Sequence, residues 1–268
     1  IEYNKDVDAY LSASGNPKID SRNIKRSKFD CAIITFPDLY NFSFFYLAGV
    51  PGIVASHFYD VDYETETISY KMATLFCRRV FLSGHKYLTR QFLRLLEPIG
   101  IITDDTAKKL SYSEKADTQA LQFFDKNNFD RSKEILVGLW PSAGNKIKIW
   151  GGENYAVLSE MICQKYPARI IILGNGEDEK YVDETLEKLM PETKYINTCN
   201  LFTLDMLKSV ISKLDVFIGP DTGLIFVAEA FKIPCIEILG PVSPWAQPQN
   251  DRRFQKIKSS AEIDLHPC

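Results

Sequence analysis

Apolar residues in the second half of the chain gather into short runs that alternate with stretches of helical spacing. Ile135-Leu-Val-Gly-Leu-Trp140 is a continuous apolar run stopped by Pro141, the pattern of a strand buried on both faces. Tyr155, Leu158, Met161 and Ile162 then share one side of a helix predicted over 154–166. A strand over 169–173 stops at Gly174-Asn-Gly176, an acidic-started helix follows over 177–190, and a short strand covers 194–197. Thr203 is placed to cap a helix carrying Leu204, Leu207, Val210 and Ile211. A strand over 215–218 closes on Gly219-Pro220, a helix occupies 222–231, and a strand over 235–239 closes on Gly240-Pro241. Strands and helices alternating through short links predict a doubly wound parallel α/β domain.

The first half is less regular. A strand is predicted over 30–35, a helix over 39–48 ended by Gly49, a short strand over 52–55, and a helix over 85–97 stopped by Pro98 and Gly100. No strand is predicted in the polar opening twenty residues, and a polar, helix-prone stretch over 111–131 leads into the second half. The expected domains are therefore residues 1–130 and 131–268.

Composition narrows the function classes. The 268 residues are 45% hydrophobic and 25% charged with a net charge of −3, which excludes wholesale disorder and argues against a general nucleic-acid binder. No apolar run reaches the ~20 residues of a membrane-spanning helix. The six cysteines stand singly, without CxxC spacing or nearby histidines, so neither a zinc site nor a disulfide scaffold is indicated and a reducing, cytoplasmic setting is expected.

Candidate chemistry lies beyond the carboxyl ends of the second-half strands, where open parallel sheets bind ligands. Pro141-Ser-Ala-Gly-Asn145 is followed by Lys146 and Lys148, small residues for close backbone approach and then cations for phosphate. Gly174-Asn-Gly-Glu177 lacks the GxGxxG spacing of a dinucleotide fingerprint and reads equally as a tight turn. Gly219-Pro-Asp-Thr-Gly223 opens a helix whose amides, with the Thr222 hydroxyl, suit an anion such as diphosphate, although Asp221 and Thr222 would also serve as plain caps. Gly240-Pro-Val-Ser-Pro244 faces the same crevice.

Together these residues resemble one family. Gly219-Pro-Asp-Thr-Gly-Leu-Ile-Phe-Val-Ala-Glu-Ala230, Pro234 and Leu239-Gly-Pro-Val-Ser-Pro244 look like the signature of glycosyltransferase family 9, the ADP-heptose heptosyltransferases of lipopolysaccharide core synthesis. Lys148-Ile-Trp150 with Tyr155-Ala156, and more loosely Phe29-Asp30, Leu47-Ala-Gly49 and Leu95-Leu96 with Gly100, agree with the same pattern. The resemblance implies a GT-B fold of two Rossmann-like domains facing across a cleft, the second holding a nucleotide-sugar donor. Ser142 and Ala143 would line the donor phosphates, Lys148 neutralise the leaving diphosphate, Glu177 meet the ribose and Phe202 the base, while Asp221, Thr222, Gly223 and Leu224 hold diphosphate and sugar. Phe226 stands where the family usually has His, and Phe cannot hydrogen-bond a phosphate or sugar hydroxyl.

The implied mechanism is inverting transfer with an ADP-sugar as substrate and neither cofactor nor bound metal. The family's base is an Asp in a Gly-Asp context after the first strand of the first domain. This chain opens on Ile1 and contains no Gly-Asp pair, so the first strand and helix are expected to be absent and transfer to be poor. Asp38 is the best stand-in base, with capping of the following helix as the alternative. Lys86, Arg90 and Arg94 recur every four residues, so one helix face would meet an anionic glycolipid or oligosaccharide acceptor, with peripheral contact at the inner membrane, or would simply be solvated. Two other readings stay open: a metal-dependent transferase using Asp60-Val-Asp62, and a sugar-nucleotide-binding protein without catalysis.

Overall fold

Asn16 and Pro17 open the first helix of the computed structural model, which describes residues 7–240 and 253–258. The Asn16 side chain accepts from the Lys18 amide at 3.0 Å, and Pro17 spends its missing N–H where a helix has no use for one. This helix, α1 (Pro17–Ser27), buries Ile24 against the next helix and is an element the hydrophobic pattern did not predict. β1 (Cys31–Ile34), α2 (Leu39–Ala48), β2 (Gly52–Phe58), α3 (Ile68–Ala73), β3 (Arg78–Leu82) and α4 (Leu88–Leu93) follow. The three strands pair in parallel in the order β1-β2-β3, and this unit takes in residues 9–106.

Two departures from expectation have local causes. β2 runs past residue 55 because its polar Ser56 and His57 are buried, and His57 has internal partners: its Nδ1 lies 2.9 Å from Glu66 and its Nε2 3.1 Å from Thr74. The helix expected over 85–97 starts only at Leu88, since Ser83 and Gly84 are held in a turn by the Asp60 carboxylate, and it tightens into a 3-10 segment over Arg94–Ile99. Lys86 therefore precedes the helix and does not share a helical face with Arg90 and Arg94. Arg94 is tied inward, donating to the Phe81 carbonyl at 3.0 Å, whereas Lys86 and Arg90 are exposed.

Among the described residues, the second unit comprises 7–8, 107–240 and 253–258. It begins with α5 (Glu114–Lys126), whose Ala120 and Phe124 pack among Leu136, Val210 and Phe217, so the junction falls near 107 rather than 130. β4 (Ile135–Leu139), α6 (Gly152–Lys165), β5 (Ala168–Ile172), α7 (Glu179–Leu186), β6 (Tyr195–Asn197), α8 (Leu204–Ile211), β7 (Val216–Pro220), α9 (Gly223–Ala230), β8 (Cys235–Leu239) and β9 (Phe254–Lys258) complete it. The strands form one all-parallel sheet in the order β6-β5-β4-β7-β8-β9. One face buries Leu136, Phe217 and Cys235 beneath α5, α8 and α9, and the other buries Val137, Ile170 and Ile172 beneath α6 and α7. The predicted doubly wound core is thus present, with β9 as an added edge strand. No helix among the described residues is long and apolar enough to cross a membrane.

Candidate functional site

The strand order fixes where a ligand can sit. From β4 the chain winds outward through β5 to β6, then returns to β4's other side with β7 and winds outward again. The connections leaving β4 and β7 therefore diverge, opening a crevice at their carboxyl ends. After β4, Pro141 and Ser142 are buried, Ala143 is half-buried, and a short 3-10 turn over Lys146–Lys148 is capped by Asn145, whose side chain accepts from the Ile147 amide at 3.1 Å. After β7, Thr222 caps α9, its hydroxyl accepting from the Leu224 amide at 3.2 Å. Lys148 bridges the two: its Nζ lies 2.5 Å from Asp221 Oδ2.

Gly240 lets this arrangement form. A Cβ at residue 240 would lie 3.0 Å from the Lys148 Cα and 3.2 Å from the Ile147 carbonyl, so the lysine turn rests directly on the end of β8. Gly223 is different: it is exposed, and a Cβ there would meet nothing within 4 Å, leaving the start of α9 open to a ligand. Lys148, half-buried, and the first turn of α9 thus place a cation and a helix N-terminus on one side of the sheet end, where both favour an anion.

One charged residue beside the crevice belongs to no motif. Glu237 stands in the middle of β8, fully buried, and neither carboxyl oxygen has a hydrogen-bond partner. Burial pushes its pKa up to about 7; the Asp221 charge adds to this, Lys256 and Lys148 oppose it, and Glu229 adds a smaller push. The signal was available as a lone charge inside the apolar run Cys235-Ile-Glu-Ile-Leu239.

With the geometry in place, the chain can be set beside known proteins. The family model for glycosyltransferase family 9 (heptosyltransferase) matches residues 22–263. The chain belongs to glycosyltransferase family 9. Lipooligosaccharide heptosyltransferase 2 of Campylobacter jejuni is 26% identical over 181 residues, 65% of this chain and 55% of that protein. Lipopolysaccharide heptosyltransferase 2 of Escherichia coli is 27% identical over 137 residues, 49% of this chain and 39% of that protein. The chain spans about half the length of the curated relatives it matches. Among solved structures, a Veillonella parvula family 9 glycosyltransferase superposes with TM-score 0.78 at 18% identity, covering 97% of this chain and 73% of that one. The E. coli heptosyltransferase WaaC with ADP superposes with TM-score 0.62 at 14% identity, covering 94% of this chain and 73% of that one. Both have the GT-B-like fold of the family.

Of the residues the resemblance points to, Ser142, Ala143 and Lys148 lie in the connection after β4, Asp221 and Thr222 in the turn after β7, and Gly223 and Leu224 in the first turn of α9, all at the crevice. Glu177 is exposed in the turn after β5, its amide donating to Asn175 Oδ1 at 3.0 Å. Phe202 is half-buried and packs edge-on against Phe123, ring centroids 5.0 Å apart. Phe226 is half-buried on α9, with the Lys108 ammonium 5.4 Å from its ring centroid and Lys108 also paired to Glu229. In the first unit, Asp38 is the N-cap of α2: its two oxygens accept from the Tyr40 and Asn41 amides at 3.0 and 3.4 Å. That is the capping alternative, and it leaves the carboxylate occupied by its own helix. Asp60 is likewise taken up by Ser83 and Gly84, and among the described residues no group of three or more His, Cys, Asp or Glu is arranged to hold a metal ion.

Proposed function

We propose that the second unit is the donor-binding half of an inverting glycosyltransferase that moves a heptose, or a related sugar, from a nucleoside-diphosphate donor to a lipopolysaccharide-core type of acceptor. The observation that carries this is the Lys148–Asp221 pair beside the Thr222-capped start of α9, at the point where the strand order reverses. In the transfer step the acceptor oxygen forms a bond to the anomeric carbon while the bond from that carbon to the diphosphate oxygen breaks. Negative charge grows on the departing diphosphate, and Lys148 with the amides at the start of α9 lowers its energy there. Such charge stabilisation needs no cofactor beyond the donor itself. That one solved relative holds ADP, and that several relatives are named as heptosyltransferases, supports ADP as the leaving group.

Lys86 and Arg90 remain exposed cations that suit a phosphorylated glycolipid or oligosaccharide, at a cytoplasmic membrane surface, while Arg94 is held by the Phe81 carbonyl.

Calorimetric titration with ADP tests the donor site. Lys148→Ala should weaken binding by roughly 10- to 100-fold, the ~1.5–3 kcal/mol of a charged hydrogen bond, with little change in melting temperature. Unchanged affinity would remove Lys148 from the site. Product analysis with ADP-heptose and a core acceptor then separates transfer from binding alone.

A further inference from the structure

We propose that Glu237 takes up a proton from solvent when a nucleoside diphosphate binds at Lys148 and Thr222, so that donor binding is coupled to protonation of a carboxyl buried under the site. The inference rests on the reading of that site as a diphosphate site and adds a residue to it.

Position argues first. Glu237 is the strand neighbour of Gly219 on β7 and of Lys256 on β9, so its side chain shares a sheet face with both. Asp221 follows directly on the end of β7, two residues beyond Gly219, and three residues beyond Glu237, Gly240 carries the lysine turn. α9 covers this face with Ile225 and Ala228. The charged groups facing Glu237 are thus Asp221 from the end of β7, Lys148 from the turn after β4, Glu229 from α9 and Lys256 from β9. Three carboxyls and two lysines converge, and the Lys148 charge is already engaged by Asp221.

Chemistry argues second. Glu237 is fully buried and has no hydrogen-bond donor, so only the charges of Lys256 and Lys148 favour its ionised form. In the free site Lys148 helps Glu237 ionise. A diphosphate diverts that lysine and adds negative charge above the carboxyl, and both changes favour the neutral acid. The balance is simple: one proton leaves water or buffer and joins a Glu237 carboxylate oxygen, with no other bond made or broken.

The test is titration of the full 268-residue chain with ADP at pH 8, in two buffers of different ionisation enthalpy, with Glu237→Gln alongside. The native chain should take up a large fraction of one proton per ADP and the Gln variant should take up less by that amount. Across pH 7 to 8 the native Kd should rise about fivefold more than that of the variant, as expected for one group bound near neutrality. Equal proton uptake in the two proteins overturns the role of Glu237 and leaves the diphosphate site standing. Absence of ADP binding in the native chain overturns the diphosphate site and this proposal with it. Should Glu237→Gln not fold, a native Kd unchanged from pH 7 to 8 is sufficient to reject the coupling.

Discussion

Glu237 has a consequence for stability as well as for binding. A carboxyl whose pKa lies higher in the folded chain than in the unfolded one holds its proton more tightly when folded. The folded state is then penalised increasingly as pH rises above the ordinary value of 4.5, and the penalty is complete once pH passes about 7. A shift of that size corresponds to on the order of 3 kcal/mol. Urea unfolding should therefore show the native chain less stable at pH 8 than at pH 5 by up to that amount, with a flatter profile in Glu237→Gln. An equal stability gap between the two proteins at both pH values would show that Glu237 does not titrate in this range. A carboxyl that weakens the fold at neutral pH is poorly explained as packing. Its place beneath Lys148 and Asp221 gives it a use, because the ligand that raises local negative charge also favours the neutral acid that the interior prefers.

At the scale of elements, the site depends on a turn seated on a strand end. Gly240→Ala would put a methyl carbon 3.0 Å from the Lys148 Cα, and the lysine turn would have to lift by a few tenths of an ångström. A stability loss of ~1 kcal/mol and a severalfold weaker ADP affinity are expected. Gly144→Ala, whose new Cβ meets no protein atom within 4 Å, should leave stability unchanged and serves as the stability control for the same loop. The elements that build this site were the most legible in the sequence: β4, β7 and β8 are buried from both sides, so apolar runs ending in Pro or Gly mark them plainly. What escaped lies at edges. Among the described residues β3, Arg78-Arg-Val-Phe-Leu82, and β9, Phe254-Gln-Lys-Ile-Lys258, each pair on one side only, and their charges obscure a short two-residue alternation. α1 is too polar to show a broad apolar stripe, although Asn16-Pro17 carried its start signal. Lys86, Arg90 and Arg94 have helical spacing, but Asp60, distant in sequence, holds the turn that delays the helix to Leu88.

The described residues form separate hydrophobic systems in the two units. Among them, every buried cluster is contained within a unit: Ile24, Ile34, Val54 and Leu95 belong to clusters of the first, Leu136, Ile170 and Phe217 to clusters of the second. The segment over 101–106 that precedes the second unit has no regular structure and is largely exposed. Beyond it, Lys108 pairs with Glu229 and Lys213 with Asp117, tying the following segment and α5 to the second unit's own helices. Since Ser142, Lys148, Asp221, Thr222 and Glu237 all lie in that unit, ADP binding should survive loss of the first. Cleavage by an Asp-specific protease should fall first at Asp104 and Asp105, where backbone in an exposed irregular segment can enter a protease more readily than strands or helices can. The purified C-terminal fragment should bind ADP with a Kd within about threefold, or ~0.6 kcal/mol, of the full chain. A fragment that stays folded by circular dichroism yet loses ADP binding would mean that residues of the first unit contribute to the donor site, and the assignment of that site to the second unit alone would have to be abandoned.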